Sequence, residues 1–267
     1  MRTTLRYLLV CAAASLVVAG GAAGASAPLT LVALGDSIPY GKDCDGCTGY
    51  VALYARSASR ALGVPVNVDN RAEHNNLDST RLLAEIRRSA SLRTALRGAD
   101  IVTLTIGHND TPWASNTDPC DGADSDTADN NTIDWASYTG PCLATVTAEL
   151  KSNVGAILAE VKRLRGGKPT AIRVTNFHND NYRDPTVPRI VDRPTKVVVD
   201  AFSKAICGAA AAAKVPCADV YHAFNGPNGT RYDGPYVASD HVHPNQKGHA
   251  LIAGLLAKLG YAPLHRS

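Results

Sequence analysis

Three short stretches hold residue types that could do chemistry together. Gly35-Asp36-Ser37-Ile38 follows directly on the unbroken apolar run from Leu31 to Leu34. Gly107-His108-Asn109-Asp110 follows the run Asp100 to Ile106, and Asp240-His241-Val242-His243-Pro244 stands before the last apolar-periodic segment. A serine hydroxyl is a weak nucleophile until a base takes its proton, and histidine titrates in the range needed for that task. The imidazole must also be held in one tautomer and its positive charge offset, which a neighbouring carboxylate can do. Asp240 is three residues before His243, close enough on an irregular turn to fold back onto the ring, and Pro244 biases His243 away from helical geometry. Ser37 is therefore a candidate nucleophile, His243 its base and Asp240 the group that orients the base. A tetrahedral intermediate needs hydrogen-bond donors for its oxyanion, each worth about 3 kcal/mol in the transition state. The backbone N–H of Ser37 and the side-chain amide of Asn109 are the candidates. Taken alone, Gly-Asp-Ser would suit an ordinary turn.

These residues need a scaffold that gathers them. Leu31 to Leu34 suits a strand buried on both faces of a parallel sheet, broken by Gly35. Tyr50 to Leu62 reads as an amphipathic helix ended by Gly63, and Val64 to Val68 as the next strand with Pro65 at its entry. Ser79 or Asp78 caps a helix through Arg88, with a second helical piece from Leu92 to Arg97. Asp100 to Ile106 is a strand, Leu143 to Leu164 a long helix, Ala171 to Phe177 a strand, Pro194 to Ala213 a helix and Cys217 to Tyr221 a short strand. Pro244 to Leu259 is the final helix, ended by Gly260. Strand and helix thus alternate through five strands, which predicts an α/β fold with a parallel sheet and helices on both faces. In such a fold the loops after the strands gather at one edge, so Ser37, Asn109, Asp240 and His243 can meet.

The amino-terminal 27 residues read as a secretory signal peptide rather than as part of the fold. Arg2 and Arg6 precede a nearly apolar stretch from Tyr7 to Gly20, too short for a comfortable membrane span, and a small-residue run ends at Ala27. Cleavage is expected after Ala25, with Ala27 the less favoured site because Pro28 would then begin the mature chain. Residues 28–267 remain as one expected domain. The leader removes two of the 27 basic residues and none of the 24 acidic ones, leaving a net charge of +1. That near-neutrality argues against nucleic acid as the main partner. No later segment is long and apolar enough to span a bilayer, so the mature chain is expected to be exported and soluble.

Six cysteines follow the leader: Cys44, Cys47, Cys120, Cys142, Cys207 and Cys217. An even number in an exported chain implies disulfides. Nearest-neighbour pairing gives 44–47, 120–142 and 207–217, one of about 15 possible connectivities. The 120–142 bridge would close a polar loop, residues 112–140, and stabilise by roughly 3 kcal/mol in the chain-entropy model. Asp121, Asp124, Asp126 and Asp129 in that loop do not match the spacing of a calcium-binding EF-hand. Cys44 and Cys47 also have redox C-x-x-C spacing, without the strand and helix that normally surround it.

In order and spacing, the three stretches resemble the SGNH (GDSL) hydrolases, over most of the chain from Leu31 to the last helix. Secreted actinobacterial esterases and lipases with several disulfides are the members it resembles most. The resemblance implies a flavodoxin-like three-layer α/β/α sandwich. It also implies metal-free hydrolysis of acyl esters. The expected substrate is a small-molecule, lipid or acylated glycan ester, no cofactor is expected, and the chain is expected to be a monomer. By that resemblance Ser37 is the nucleophile, His243 the base, Asp240 its orienter and Asn109 an oxyanion donor. The family also places a glycine after the second strand, whose N–H is a further oxyanion donor. Here Asn70 to Thr80 contains no glycine. Counting forward from Asn70 puts Asn75 at that position, and counting back from Thr80 favours Asn76. Asparagine tolerates the left-handed conformation better than most residues.

Two other readings compete. A metal-dependent phosphoesterase could use Asp240, His241, His243 and His108 as ligands, although no D-x-H pattern accompanies the first strand. A non-catalytic module that binds glycan or lipid would explain the missing glycine but not the intact Ser37, Asp240 and His243. The α/β-hydrolase alternative lacks any G-x-S-x-G elbow. His241 and His249 are expected to face solvent or cap the last helix. His74, His178 and His222 are expected to be ordinary loop residues, and His108 to shape the loop that aims Asn109. Tyr40 and Trp113 could line an acyl pocket.

Overall fold

The structure, a computed structural model, describes residues 27–44, 46–111, 120 and 139–265. The expected leader up to residue 26, Trp113 and the acidic residues Asp121, Asp124, Asp126 and Asp129 lie outside the described residues.

Five strands form one parallel sheet: β1 (Leu29–Gly35), β2 (Val66–Asn70), β3 (Ile101–Thr105), β4 (Ala171–Thr175) and β5 (Cys217–Ala218). Their order is β2-β1-β3-β4-β5, the flavodoxin-like order of doubly wound sheets. β3 and β4 are buried along their whole length and β1 from Leu31 onward, which is why these strands have near-continuous apolar sequence. The helices are α1 (Ser37–Tyr40), α2 (Tyr50–Leu62), α3 (Ser79–Arg88), α4 (Ala90–Gly98), α5 (Gly140–Arg165), α6 (Asp192–Ala212), α7 (Val220–Asn225) and α8 (Gln246–Lys258). α2 packs with α8, while α3, α4 and α6 gather against α5, so each face of the sheet has its own helical layer.

The differences from the expected elements have local causes. β2 begins two residues late because Pro65 has no N–H to donate; its carbonyl instead accepts from Leu29 N at 2.9 Å. β5 stops at Ala218 because Asp219 accepts from His222 N and Asn176 Oδ1 accepts from the N–H groups of Val220 and Tyr221. Together these contacts start α7 where strand was expected. The last helix starts at Gln246 rather than Pro244, since Asn245 accepts from the N–H groups of Lys247 and Gly248. Pro244 instead forms an antiparallel bridge with Val237. The three disulfides join Cys44 to Cys47, Cys120 to Cys142 and Cys207 to Cys217, the nearest-neighbour pairs.

The chain leaves β1 for β2 on one side and returns to β3 on the other, so the sheet order reverses between β1 and β3. Open α/β sheets hold ligands at such a point. Gly35 ends β1 there with φ +134°, and a Cβ on it would lie 1.7 Å from the Thr105 carbonyl oxygen of β3. Gly107, at φ +121°, ends the β3 exit in the same way, where a Cβ would meet Ile206 Cδ1 at 2.8 Å. Below this edge Tyr50 Oη, Thr105 Oγ1 and Thr175 Oγ1 form a buried hydrogen-bonded row at 2.6 and 2.8 Å, tying α2 to β3 and β4.

Asp233 and His178 are fully buried beside this edge, with His178 Nε2 3.6 Å from Asp233 Oδ2. Burial, helped by the Asp180 charge, pushes Asp233 up to about 8; burial pushes His178 down to about 4. Both are therefore neutral near pH 7.

Two stability predictions follow from the packing. Gly35→Ala should lower urea-unfolding stability by more than about 2 kcal/mol, because strain and a backbone clash act together. Gly254→Ala, on the exposed side of α8, should raise it by about 0.5–1 kcal/mol. Asp233 holds its proton in the folded state up to about pH 8 but loses it near pH 4 when unfolded. The folded state thus binds more protons in that window, and wild-type stability should fall relative to Asp233→Asn as pH rises from 5 to 8. Chemical unfolding of both proteins across that range measures the difference, and parallel profiles would refute the assignment.

Candidate active site

The exit of β1 carries the first group. Asp36 caps α1 by accepting from Ile38 N at 3.0 Å, which turns the chain sharply and puts Ser37 at the first helical position. There its N–H has no acceptor within the helix. Asp36 is buried, and burial pushes its carboxyl up to about 6 against the opposing charge of His108.

The exit of β3 carries the second. His108 to Asp110 form a single 3-10 turn after Gly107. Asn109 is buried and its amide donates to the Leu77 carbonyl at 3.0 Å, leaving the second amide hydrogen for another acceptor. Asp110 takes Ser79 N at 3.0 Å and Ser79 Oγ at 2.5 Å, locking the start of α3 to this turn. Burial drives Asp110 up to about 7, with the Ser79 hydrogen bonds acting the other way. His108 lies 3.3 Å from Asp180. Burial works against a charge on His108, but Asp180 and Asp36 outweigh it and raise its pKa.

The segment before α8 carries the third. Asp240 Oδ1 accepts from Val242 N at 3.1 Å and His243 N at 3.0 Å, so its side chain folds the turn on which it sits. Its other oxygen is 2.5 Å from His243 Nδ1, and His243 Nε2 is 2.9 Å from Ser37 Oγ. With Nδ1–H donating to Asp240, Nε2 is free to accept from the serine. Burial opposes ionisation of Asp240, yet the His243 ring and two backbone donors hold it below the usual carboxylate range. Ser37, His243 and Asp240 thus form one hydrogen-bonded row although they come from opposite ends of the chain.

The segment after β2 contains both candidates for the replaced glycine. Asn76 has φ +49°, in the left-handed region, whereas Asn75 is not among the positive-φ residues. Arg81 Nη1 donates to the carbonyls of both, at 2.9 and 3.3 Å. Tyr40 is half exposed and its ring lies 4.6 Å from that of His74.

Several histidines sit otherwise than expected. His249 neither faces solvent nor caps the last helix; it is fully buried and its Nδ1 accepts from Tyr50 N at 3.2 Å, serving α2, whose Gly49 cap has no side chain. His178 is a loop residue but fully buried, with Nε2 2.9 Å from the Val242 carbonyl. His241 does not join His243 as a metal ligand: its Nδ1 is 2.7 Å from Asp184 Oδ2. His222 pairs with Asp219 at 2.7 Å on the surface. Among the described residues two clusters have metal-ligand types within 4.8 Å of one another: Cys44, Cys47 and His249, and Asp43, Asp240 and His243. The cysteines of the first are joined in a disulfide, and the Nδ1 of the second already faces Asp240. The proposed phosphoesterase set of Asp240, His241, His243 and His108 is not brought together, because His241 and His108 turn to Asp184 and Asp180.

Sequence reasoning missed Asp43, Asp180 and Asp184. Asp43 Oδ2 is 3.4 Å from His243 Nδ1. Asp180 and Asp184 lie in the loop after β4, at the same edge of the sheet as the other groups. Of the three, Asp180 had a local signal, the His178-Asn179-Asp180 run after a buried strand; Asp43 and Asp184 had none.

Solved structures with the same fold include a lipase, Lip_vut3, from a goat rumen metagenome, at 20% identity and TM-score 0.68, covering 89% of this chain and 100% of that one. An acetylxylan esterase, Axe2, from Geobacillus stearothermophilus matches at 21% identity and TM-score 0.56, covering 90% and 97%. A lipase/acylhydrolase from Enterococcus faecalis matches at 16% identity and TM-score 0.53, covering 86% and 94%. No curated protein matches the chain. The family model for GDSL-like lipases and acylhydrolases matches residues 33–251, a span that begins in β1 and ends in α8 and so contains all three chemical stretches. The chain belongs to the GDSL-like lipase/acylhydrolase family and is an ester hydrolase.

Proposed function

We propose that this chain is an exported serine esterase that cleaves carboxylic acyl esters through an acyl-enzyme. The observation that carries the proposal is the continuous row Asp240 Oδ2–His243 Nδ1 at 2.5 Å and His243 Nε2–Ser37 Oγ at 2.9 Å. Ser37 Oγ attacks the ester carbonyl as its proton passes to His243 Nε2. Asp240 holds the Nδ1–H and offsets the positive charge of the imidazolium. The carbonyl oxygen becomes an oxyanion facing the Ser37 N–H, the free amide hydrogen of Asn109 and the N–H of Asn76. Asn76 is preferred to Asn75 because its positive φ is the conformation a glycine would adopt there. The intermediate collapses, His243 returns the proton to the leaving alcohol, and water repeats the sequence on the acyl-serine to release the acid.

Export rests on the charged, then apolar, then small-residue pattern of residues 1–27 and on the three disulfides, which persist outside the cytosol. Among the described residues no helix is long and apolar enough to cross a membrane. The names of structural neighbours point to two ester classes for this site, acetylated glycan and lipid.

Ser37→Ala should lower kcat/KM on a short-chain nitrophenyl ester by about four orders of magnitude with the thermal midpoint nearly unchanged. Full activity in that variant would end the proposal. Asn109→Ala should cost about 10²-fold in kcat with little change in KM, since its amide acts on charge that develops only in the transition state. A loss confined to KM would remove Asn109 from the oxyanion site. Initial rates on acetyl, butyryl and octanoyl nitrophenyl esters and on acetylated xylan should separate the two ester classes: a steep fall with acyl length selects the glycan ester, a rise selects the lipid.

A further inference from the structure

The turn that carries Asp240 and His243 is not self-sufficient. For Asp240 to accept from both Val242 N and His243 N, the residue between must bend the chain back, and His241 does so at φ +64°. That region disfavours a residue with a Cβ, so something outside the turn must hold His241 there. Two side chains from the loop after β4 reach this turn. Asp184, 1% exposed, places Oδ2 2.7 Å from His241 Nδ1, while Oδ1 accepts from Thr186 N at 2.7 Å and from Thr186 Oγ1. His178, fully buried and stacked on Phe224, donates from Nε2 to the Val242 carbonyl at 2.9 Å. Tyr232 Oη adds a contact of 3.3 Å to His241 Nδ1. The turn is thus gripped at the two residues that separate Asp240 from His243.

We infer that Asp184 and His241 are positioning residues for ester hydrolysis: the contact between them holds the strained turn in the one shape that aligns Asp240, His243 and Ser37. The assignment rests on the acyl-enzyme reading above. Asp184 suits the task because it is anchored before it acts. The Thr186 donors and His241 hold its carboxyl below the usual range although burial opposes the charge. The side chain is therefore a fixed acceptor. His241 suits it because Nδ1–H is the only donor its ring can offer on that side. Loss of the contact would free the turn to relax toward ordinary backbone angles, moving His243 relative to Ser37 without touching the substrate pocket. The expected signature is a loss in kcat at nearly constant KM.

Three variants of the full chain separate this role from a general effect on folding. Asp184→Asn keeps the volume and removes the charge. His241→Ala removes the donor while keeping a Cβ at positive φ. His241→Asn supplies an amide donor on a residue that tolerates the left-handed region. On a nitrophenyl acetate substrate, Asp184→Asn and His241→Ala should lower kcat by 10- to 100-fold with KM within about two-fold of wild type. His241→Asn should recover at least five-fold over His241→Ala. Wild-type kcat in both loss variants, a loss lying in KM, or no recovery in His241→Asn would overturn the inference. If Asp184→Asn does not fold, the comparison of the two His241 variants decides alone. Ser37→Ala in the same assay keeps the failures distinct: residual wild-type activity there refutes the acyl-enzyme reading itself, whatever the turn does.

Discussion

The close approach of β1 to β3 at their carboxyl ends is the constraint on which the site depends. Gly35 pairs with Thr105, and no side chain fits between Gly35 and the Thr105 carbonyl. That contact fixes the separation of the two loops that leave the strands, one bearing Ser37 and the other Asn109. Because the sheet order reverses at this point, the space above it is open. The buried hydroxyl row of Tyr50, Thr105 and Thr175 ties the supporting strands to α2 below. His249 in turn fastens the start of α2 to α8, the helix that follows His243. Ser37, Asn109 and His243, the proposed nucleophile, oxyanion donor and base, are thereby referred to one rigid frame, as a reaction that needs sub-ångström alignment requires.

The edge is also unusually rich in buried ionisable groups. Asp36, Asp184 and Asp233 are nearly inaccessible to water, as are His108, His178 and His243, while Asp110 and Asp180 are partly buried. Burial acts against charge on every one of the carboxyls, and local partners decide the outcome. Asp240 and Asp184 receive enough donors to stay below the usual range, whereas Asp36, Asp110 and Asp233 do not and are raised. Carboxylates are thus kept where an imidazole must be oriented, at Asp240 and Asp184. Raised carboxyls sit where backbone turns are being fastened, as at Ser79 and Ile38. Local hydrogen-bond supply therefore assigns different roles to chemically identical side chains.

Much of this arrangement was legible in the chain. The apolar runs of β1, β3 and β4 announce buried parallel strands, and the residue types at Ser37, Asn109, Asp240 and His243 announce acyl transfer. The nearest-neighbour disulfides were legible by the same local reasoning. What was hidden depends on contacts between distant residues. The start of β2 turns on the missing N–H of Pro65, a local fact that hydrophobic pattern alone overrides. The end of β5 is set by Asn176, far away in sequence, through its contacts with Val220 and Tyr221. His249 looked like a surface residue on a helix, yet its burial follows from the need of α2 for an acceptor that Gly49 cannot supply. Asp184 carries no motif, and the run His178-Asn179-Asp180 marks its loop without showing a partner; only folding the β4 exit against the Asp240 turn reveals what Asp184 and His178 hold.

The account stands on Ser37 Oγ being the atom that becomes acylated. The most direct measurement is covalent trapping: incubate the purified chain with an alkyl fluorophosphonate, then determine intact mass and map the modified peptide by fragmentation. One adduct per chain, located on Ser37 and absent after prior acylation by slow substrate, is the predicted result. Ester hydrolysis that continues undiminished with Ser37 unlabelled, or labelling that maps to a different serine, would contradict it.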